Sequence, residues 1–162
     1  MYSPFTSMPS HSRVWVYQSD REFTADEIKK IEASLNSFLD NWTAHDKALL
    51  ASSEIRYNRF IIVMIDEKQA AATGCSIDKS IHFVQQLEKE MNLSLMNRML
   101  FAYKEGEKVL VLKRDAFEAK YEKGEINAET IVFNNLVQSK AELDSKWEIP
   151  LKDSWHKALL EV

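Results

Sequence analysis

The chain has little of what makes flexible, cross-linked or membrane-embedded proteins. Three glycines and three prolines in 162 residues leave little room for linkers or long disordered stretches. A single cysteine, Cys75, excludes an internal disulfide and fits a reducing, cytoplasmic setting. The longest apolar run, Phe60 to Ile65, has six residues, against the roughly 20 of a bilayer-spanning helix, so no membrane insertion is expected. The first thirteen residues contain no apolar core of a secretory signal, and Pro4 and Pro9 interrupt any helix there. No Lys/Arg cluster forms a basic face and the net charge is −4. Nucleic acid is therefore not an expected partner, because phosphate binding needs concentrated positive charge.

What is present suits a globular protein. At 45% hydrophobic and 28% charged, the chain can bury a core as one domain or as a domain with a small appendage. The β-branched and aromatic run at Arg13–Gln18 reads as a strand. Thr24 and Glu27 then stand at capping-box spacing, with Phe23 and Ile28 as a hydrophobic staple. Ile28, Ile31, Leu35, Phe38, Leu39 and Trp42 recur at helical steps and predict a helix ending near Trp42. Beyond a polar loop holding His45, the segments Ser53–Arg59 and Phe60–Ile65 read as adjacent strands turning near Tyr57, Asn58 and Arg59. A second helix is expected from about Ser76, as N-cap, to Asn92, burying Ile77, Ile81, Val84, Leu87 and Met91.

Met99–Tyr103 and Val109–Leu112 suggest a hairpin around Gly106. The order β-α-β-β-α-β-β predicts an α+β protein with a ferredoxin-like β-α-β-β-α-β antiparallel sheet and helices on one face. That body spans 1–97, its closing strand drawn from within 98–112. The remaining chain changes texture: a short helix carrying Phe117 and stopped at Gly124, a strand through Ile131, Val132 and Phe133, a capping box at Ser139 and Glu142, then Trp147, Pro150 and Trp155.

The stretch from Thr73 to Ser80 holds the chemistry most worth weighing. A helix start favours anions through its free N–H groups and dipole. A thiolate at Cys75, or a carboxylate or phosphate held by Gly74, Cys75, Ser76, Asp78, Lys79 and a gripping Arg59, would be stabilised there. His82 lies seven residues on, about 10.5 Å of helix rise, beyond direct reach as a base. His45 and His156 are freer partners, so Cys75, His45 and His156 are the catalytic candidates for a thiol–imidazole site. No paired C-x-x-C or H-x-x-x-H spacing is present, and neither a metal nor another cofactor is expected.

The motifs SRVWVYQ, NWTAH, YNRFIIV, TGCSIDKS, TIVFNNLV and SWH resemble an uncharacterised family of small bacterial proteins often labelled ABC transporter ATPase. A P-loop needs clustered glycines ahead of Lys and Ser/Thr, so that backbone wraps phosphate. Gly74, Gly106 and Gly124 stand apart, and Asp78 takes the place of the glycine before Lys79, so the ATPase label is rejected. LFAYKEGEKVLVL, KGEINAETIVF and Trp147 are similar to the GYF-like module, a small ββαββ peptide-binding unit, with Val111-Leu112 where those modules carry Gly-Pro. That resemblance implies a GYF-like C-terminal part over 98–162, packed on the body. It also implies a peptide groove among Tyr103, Phe133, Trp147 and Trp155. The expected function is a non-enzymatic protein- or peptide-binding or regulatory module; the alternative is a cysteine-dependent enzyme or small-anion-binding protein at Cys75.

Overall fold

The structure, a computed structural model, describes residues 1–160. Strand β1 (Arg13–Gln18) leads into α1 (Ala25–Asn41). Thr24 accepts the Glu27 N–H and the Glu27 carboxylate accepts the Thr24 N–H, so the expected capping box forms. Arg21 makes a two-pronged ion pair with Glu27 (2.8 and 2.7 Å) and also donates to the Met91 carbonyl. Arg21 first, and the Thr24 N–H second, hold the Glu27 carboxyl down at about 2. Trp42 caps the far end of α1.

A minimal hairpin follows, β2 (Thr43–Ala44) and β3 (Lys47–Ala48), turned at His45 and Asp46, whose φ values are 50° and 62°. Strands β4 (Leu50–Arg56) and β5 (Phe60–Asp66) come next. Tyr57 and Asn58 between them are left-handed, with φ of 55° and 52°. The turn therefore lies where the sequence places it, without a glycine to relieve it. Helix α2 (Gly74–Met91) ends at Asn92, whose φ of 52° satisfies the left-handed stop.

The second half holds β6 (Leu100–Glu105), β7 (Lys108–Lys113), α3 (Arg114–Glu122), β8 (Ile131–Phe133), α4 (Lys140–Lys146), β9 (Glu148–Pro150) and α5 (Lys157–Leu160). Gly106 at the hairpin tip and Gly124 beyond α3 both have positive φ, a conformation glycine adopts without the Cβ penalty other residues bear. Ser139 caps α4 by accepting the Glu142 N–H, but the Glu142 carboxylate reaches Gln138 rather than its own cap.

The chain is thus a mixed α+β protein with antiparallel sheets: one of three strands in the order β1-β5-β4, the two-stranded β2-β3, and one of four in the order β7-β6-β8-β9. No fourth strand closes the first sheet; β6 and β7, drawn from the 98–112 segment, pair with each other and start the four-stranded sheet instead. Their alternating apolar residues make two faces to cover, which one place beside β1 would not do.

Parity assigns every layer. Ile61, Val63 and Ile65 of β5 pack with Ile31, Leu35 and Leu39 of α1 and Val84 and Leu87 of α2. Their alternates Phe60, Ile62 and Met64 pack with Ala102, Val109, Phe133 and Trp147 of the second half. The outer face of the four-stranded sheet, through Phe101, Tyr103 and Val132, covers Phe117 and Ile126. The layers therefore run helices, three-stranded sheet, four-stranded sheet, α3 with the C-terminal segment. Strand β5 is buried along its whole length, so truncating Ile61 or Ile62 to Ala should cost about 2–5 kcal/mol.

Candidate functional site

The first sheet has two outer edges. On β1, pairing with β5 uses the odd-numbered residues, and Val14, Val16 and Gln18 point their backbone groups away from the sheet. A short segment closes the start of this edge: Val14 N–H donates to the Gln138 carbonyl (3.1 Å), and Lys140 N–H to the Ser12 carbonyl (2.9 Å). Beyond it, among the described residues, the N–H and C=O of Val16 and the N–H of Gln18 meet no hydrogen-bond partner.

That open edge forms one wall of a cleft of about 1030 Å³. Opposite lie Leu100 and Ala102 of β6 and the Phe133–Gln138 stretch, while Ile77 and Ile81 of α2 form a half-buried side wall. Leu136 and Trp155 stand at the rim with 61% and 37% of their surface exposed. Apolar side chains left this open beside an unpaired strand edge are what a binding groove requires.

Side-chain hydrogen bonds fix the floor. Gln18 Nε2 donates to the Leu100 carbonyl (3.1 Å), tying β1 to β6, and Gln18 Oε1 accepts from Asn135 Nδ2 (2.9 Å). Asn135 Oδ1 in turn accepts from the indole N–H of Trp147 (2.9 Å). The deep wall includes His156, which is 1% exposed and stacked on Trp155 at 3.8 Å. Burial pulls its pKa down to about 4, so the ring is neutral at pH 7. Its Nδ1 lies 2.6 Å from Ser154 Oγ, and Nε2 has no hydrogen-bond partner among the described residues.

Of the candidates at the second helix start, Arg59 is not brought to the others. Thr73, not Ser76, is the N-cap: Thr73 Oγ1 accepts from the Ser76 N–H (3.2 Å) and Ser76 Oγ from the Thr73 N–H (2.7 Å). Reciprocal capping fits Thr73 better than Ser76 because it satisfies both residues at once. Gly74 and Cys75 thus lie inside the first turn rather than before it, and the Ser76 hydroxyl is spent on the cap. Cys75, Asp78 and Lys79 are exposed. The indole of Trp42 donates to the Ser76 carbonyl (2.9 Å), which fastens this helix end to α1.

Arg59 stands at the other end of the molecule. Its guanidinium donates to the Ser19 carbonyl (3.4 Å), and its neighbour Asp20 bonds Ser94, just past the end of α2. Helix α2 has 18 residues, so about 25 Å separates its two ends. Burial lowers the Arg59 pKa, with Glu22 and Asp20 opposing that fall, and its Nε is buried without a partner. His45 sits exposed in the β2–β3 turn, whereas His156 is enclosed by Phe101 and Phe117 of the outermost core. Among the described residues no group of three or more His, Cys, Asp and Glu side chains could hold a metal ion. His82 is exposed as well.

Of the expected peptide groove, Tyr103, Phe133 and Trp147 are core: all are buried, the last two against Phe60 at 4.8 and 5.0 Å. Phe133 and Trp155 do line the cleft. Val16, Gln18, Ile77, Ile81, Arg98 and Asn135 complete the walls and were not among the sequence candidates. Ile77 and Ile81 read as core because their spacing is helical, but α2 turns Ser76, Ser80, Val84 and Leu87 inward instead. Gln18, a polar end to an apolar strand, was the one readable signal. Among the described residues no helix is long and apolar enough to cross a membrane. No protein-family model, curated protein or solved structure matches this chain.

Proposed function

We propose that this protein is a non-enzymatic binding module, acting in the cytoplasm, that takes an extended segment of a protein partner into the cleft along β1. The observation that carries this reading is the unpaired backbone of Val16 facing the cleft. Free N–H and C=O groups at strand spacing recognise another extended backbone, and pockets beside them select its side chains. The antiparallel order β1-β5-β4 supports reading the first sheet as a ferredoxin-like arrangement whose fourth-strand place is vacant. The order β6-β7-α3-β8-β9, interrupted by α4, supports a GYF-like reading of the second half.

Strand addition has a direct signature. Random peptides displayed on phage, panned against the immobilised protein, should yield binders that slow amide hydrogen exchange at Val16 and Gln18. Val16→Pro should abolish their binding, because its N–H faces the cleft and not β5. Binders that leave exchange along β1 unchanged would refute strand addition.

A further inference from the structure

We infer that the segment accepted on the open edge of β1 is acidic, with carboxylate side chains at its two ends set against Arg13 and Arg98; this rests on the reading of the cleft as a peptide site. The whole chain carries a net charge of −4, yet the Arg and carboxylate side chains on the cleft wall are Arg13, Arg98 and Glu67. An acidic molecule has turned one surplus positive charge into this cleft. Arg13 meets Glu67 only at 3.7 Å with both side chains well exposed, a pair worth little on its own. Arg98 is exposed and, among the described residues, has neither an ion pair nor a hydrogen bond.

The two cations bracket the free edge. The Arg13 guanidinium lies 4.8 Å from the Trp15 ring centroid, folded forward along β1. Arg98 precedes Leu100, whose carbonyl is bonded to Gln18 at the other end of the strand. From Val16 to Gln18 the free edge covers about 7 Å, room for about three residues of the segment, whose ends then reach the two cations. The cleft walls include the apolar Ile77, Ile81, Leu136 and Trp155 beside the amides of Asn97, Asn135 and Gln138, so the rest of the segment meets apolar and amide side chains. His156 adds a neutral ring: Ser154 Oγ accepts its backbone N–H (3.5 Å) and lies 2.6 Å from Nδ1, and in the tautomer where Ser154 donates to Nδ1 the ring N–H stands on Nε2. A carbonyl or carboxylate of the segment would meet it.

The test uses fluorescein-labelled peptides taken from the phage selection, each paired with a counterpart in which every Asp and Glu is replaced by Asn and Gln. Fluorescence polarisation with the wild type should show the neutral counterparts binding about tenfold more weakly, a gap that closes as salt rises. Arg98→Gln should remove about three- to fivefold of the acidic preference. If acidic and neutral peptides bind alike while Val16→Pro still abolishes both, acidic selection is wrong and the peptide reading stands. If no peptide is enriched, or Val16→Pro leaves binding intact, both fall. Should Val16→Pro fail to fold, the exchange rate of the wild-type Val16 amide replaces it, and no slowing on peptide addition counts as failure. Sedimentation of the protein alone supplies the remaining outcome: a dimer sensitive to Val16→Pro would make a second copy the occupant and overturn the acidic segment.

Discussion

The two outer edges of the three-stranded sheet are each covered at one end only, and they differ in what lies beside the open part. On β4 the chain's own start lies alongside: Ser3 N–H donates to the Ala51 carbonyl (2.8 Å), Ala51 N–H to the Met1 carbonyl (3.0 Å), and Tyr2 forms a parallel bridge to Ala51. The Met1 ammonium adds bonds to the carbonyls of Leu39 and Leu49. On β1 only Ser12 and Val14 are covered, by Gln138 and Lys140, and the rest opens into the cleft. Proteins normally blunt an exposed edge with charge, proline or a covering segment. Here each edge is covered at one end by two main-chain hydrogen bonds, and beyond them, among the described residues, Ser53 and Ile55 of β4 are as unpaired as Val16 of β1, so what sets β1 apart is the cleft it faces.

The largest effect should come from beneath the open edge. Trp147 fills the space between the sheets, packs on Phe60 and Phe133 at 5.0 Å each, and holds Asn135 and through it Gln18. Trp147→Ala should cost about 3–5 kcal/mol in urea unfolding and weaken peptide binding in any molecules that stay folded. Trp147→Phe keeps much of the volume and loses the N–H, which separates packing from the support of Gln18.

Next in size is a pH effect in the deep wall. His156 has its folded pKa depressed to about 4 from an ordinary 6.5, so between those values the unfolded chain binds a proton that the folded one refuses. Stability is therefore full above about pH 6.5 and falls as pH drops toward 4, by about 3 kcal/mol over the window. Urea midpoints measured from pH 7.5 to pH 4 should show this slope, flattened in His156→Leu. Residues 1–3 contain no histidine, so removing them should leave that slope unchanged. The same truncation should cost about 1–2 kcal/mol through its lost hydrogen bonds. It would extend the open stretch of β4 to Ala51, and concentration-dependent association in sedimentation would follow.

Much of this architecture was legible because local signals agreed with burial. The Thr24–Glu27 box, the α1 stripe and the turn at Tyr57 and Asn58 each rest on chemistry within a few residues. The continuous apolar run of β5 also announced burial on both faces. What escaped was non-local. The β6–β7 hairpin was readable, but nothing near β6 states that its other edge pairs with β8 rather than β1, since that choice depends on which faces the second half must cover. The cleft escaped for the same reason: it exists where a strand is missing. Trp147 and Phe133 read as groove aromatics because an aromatic's exposure is set by what folds over it, here Phe60 from the other half.

The smallest effect on stability sharpens the comparison most. Within β1, Trp15 and Tyr17 turn their N–H groups to β5, and Val16 turns its own to the cleft. Proline at residue 15 or 17 would remove a ladder bond and place its ring against the partner strand, at about 3 kcal/mol or more. Proline at residue 16 removes a bond that the folded protein does not make, and proline is tolerated on an edge strand in that orientation. Val16→Pro should therefore shift the urea midpoint by less than about 1 kcal/mol equivalent, yet eliminate peptide binding. Equal destabilisation by all three prolines would mean that the Val16 N–H is already satisfied within the fold, and the edge would then offer nothing for a partner strand to pair with.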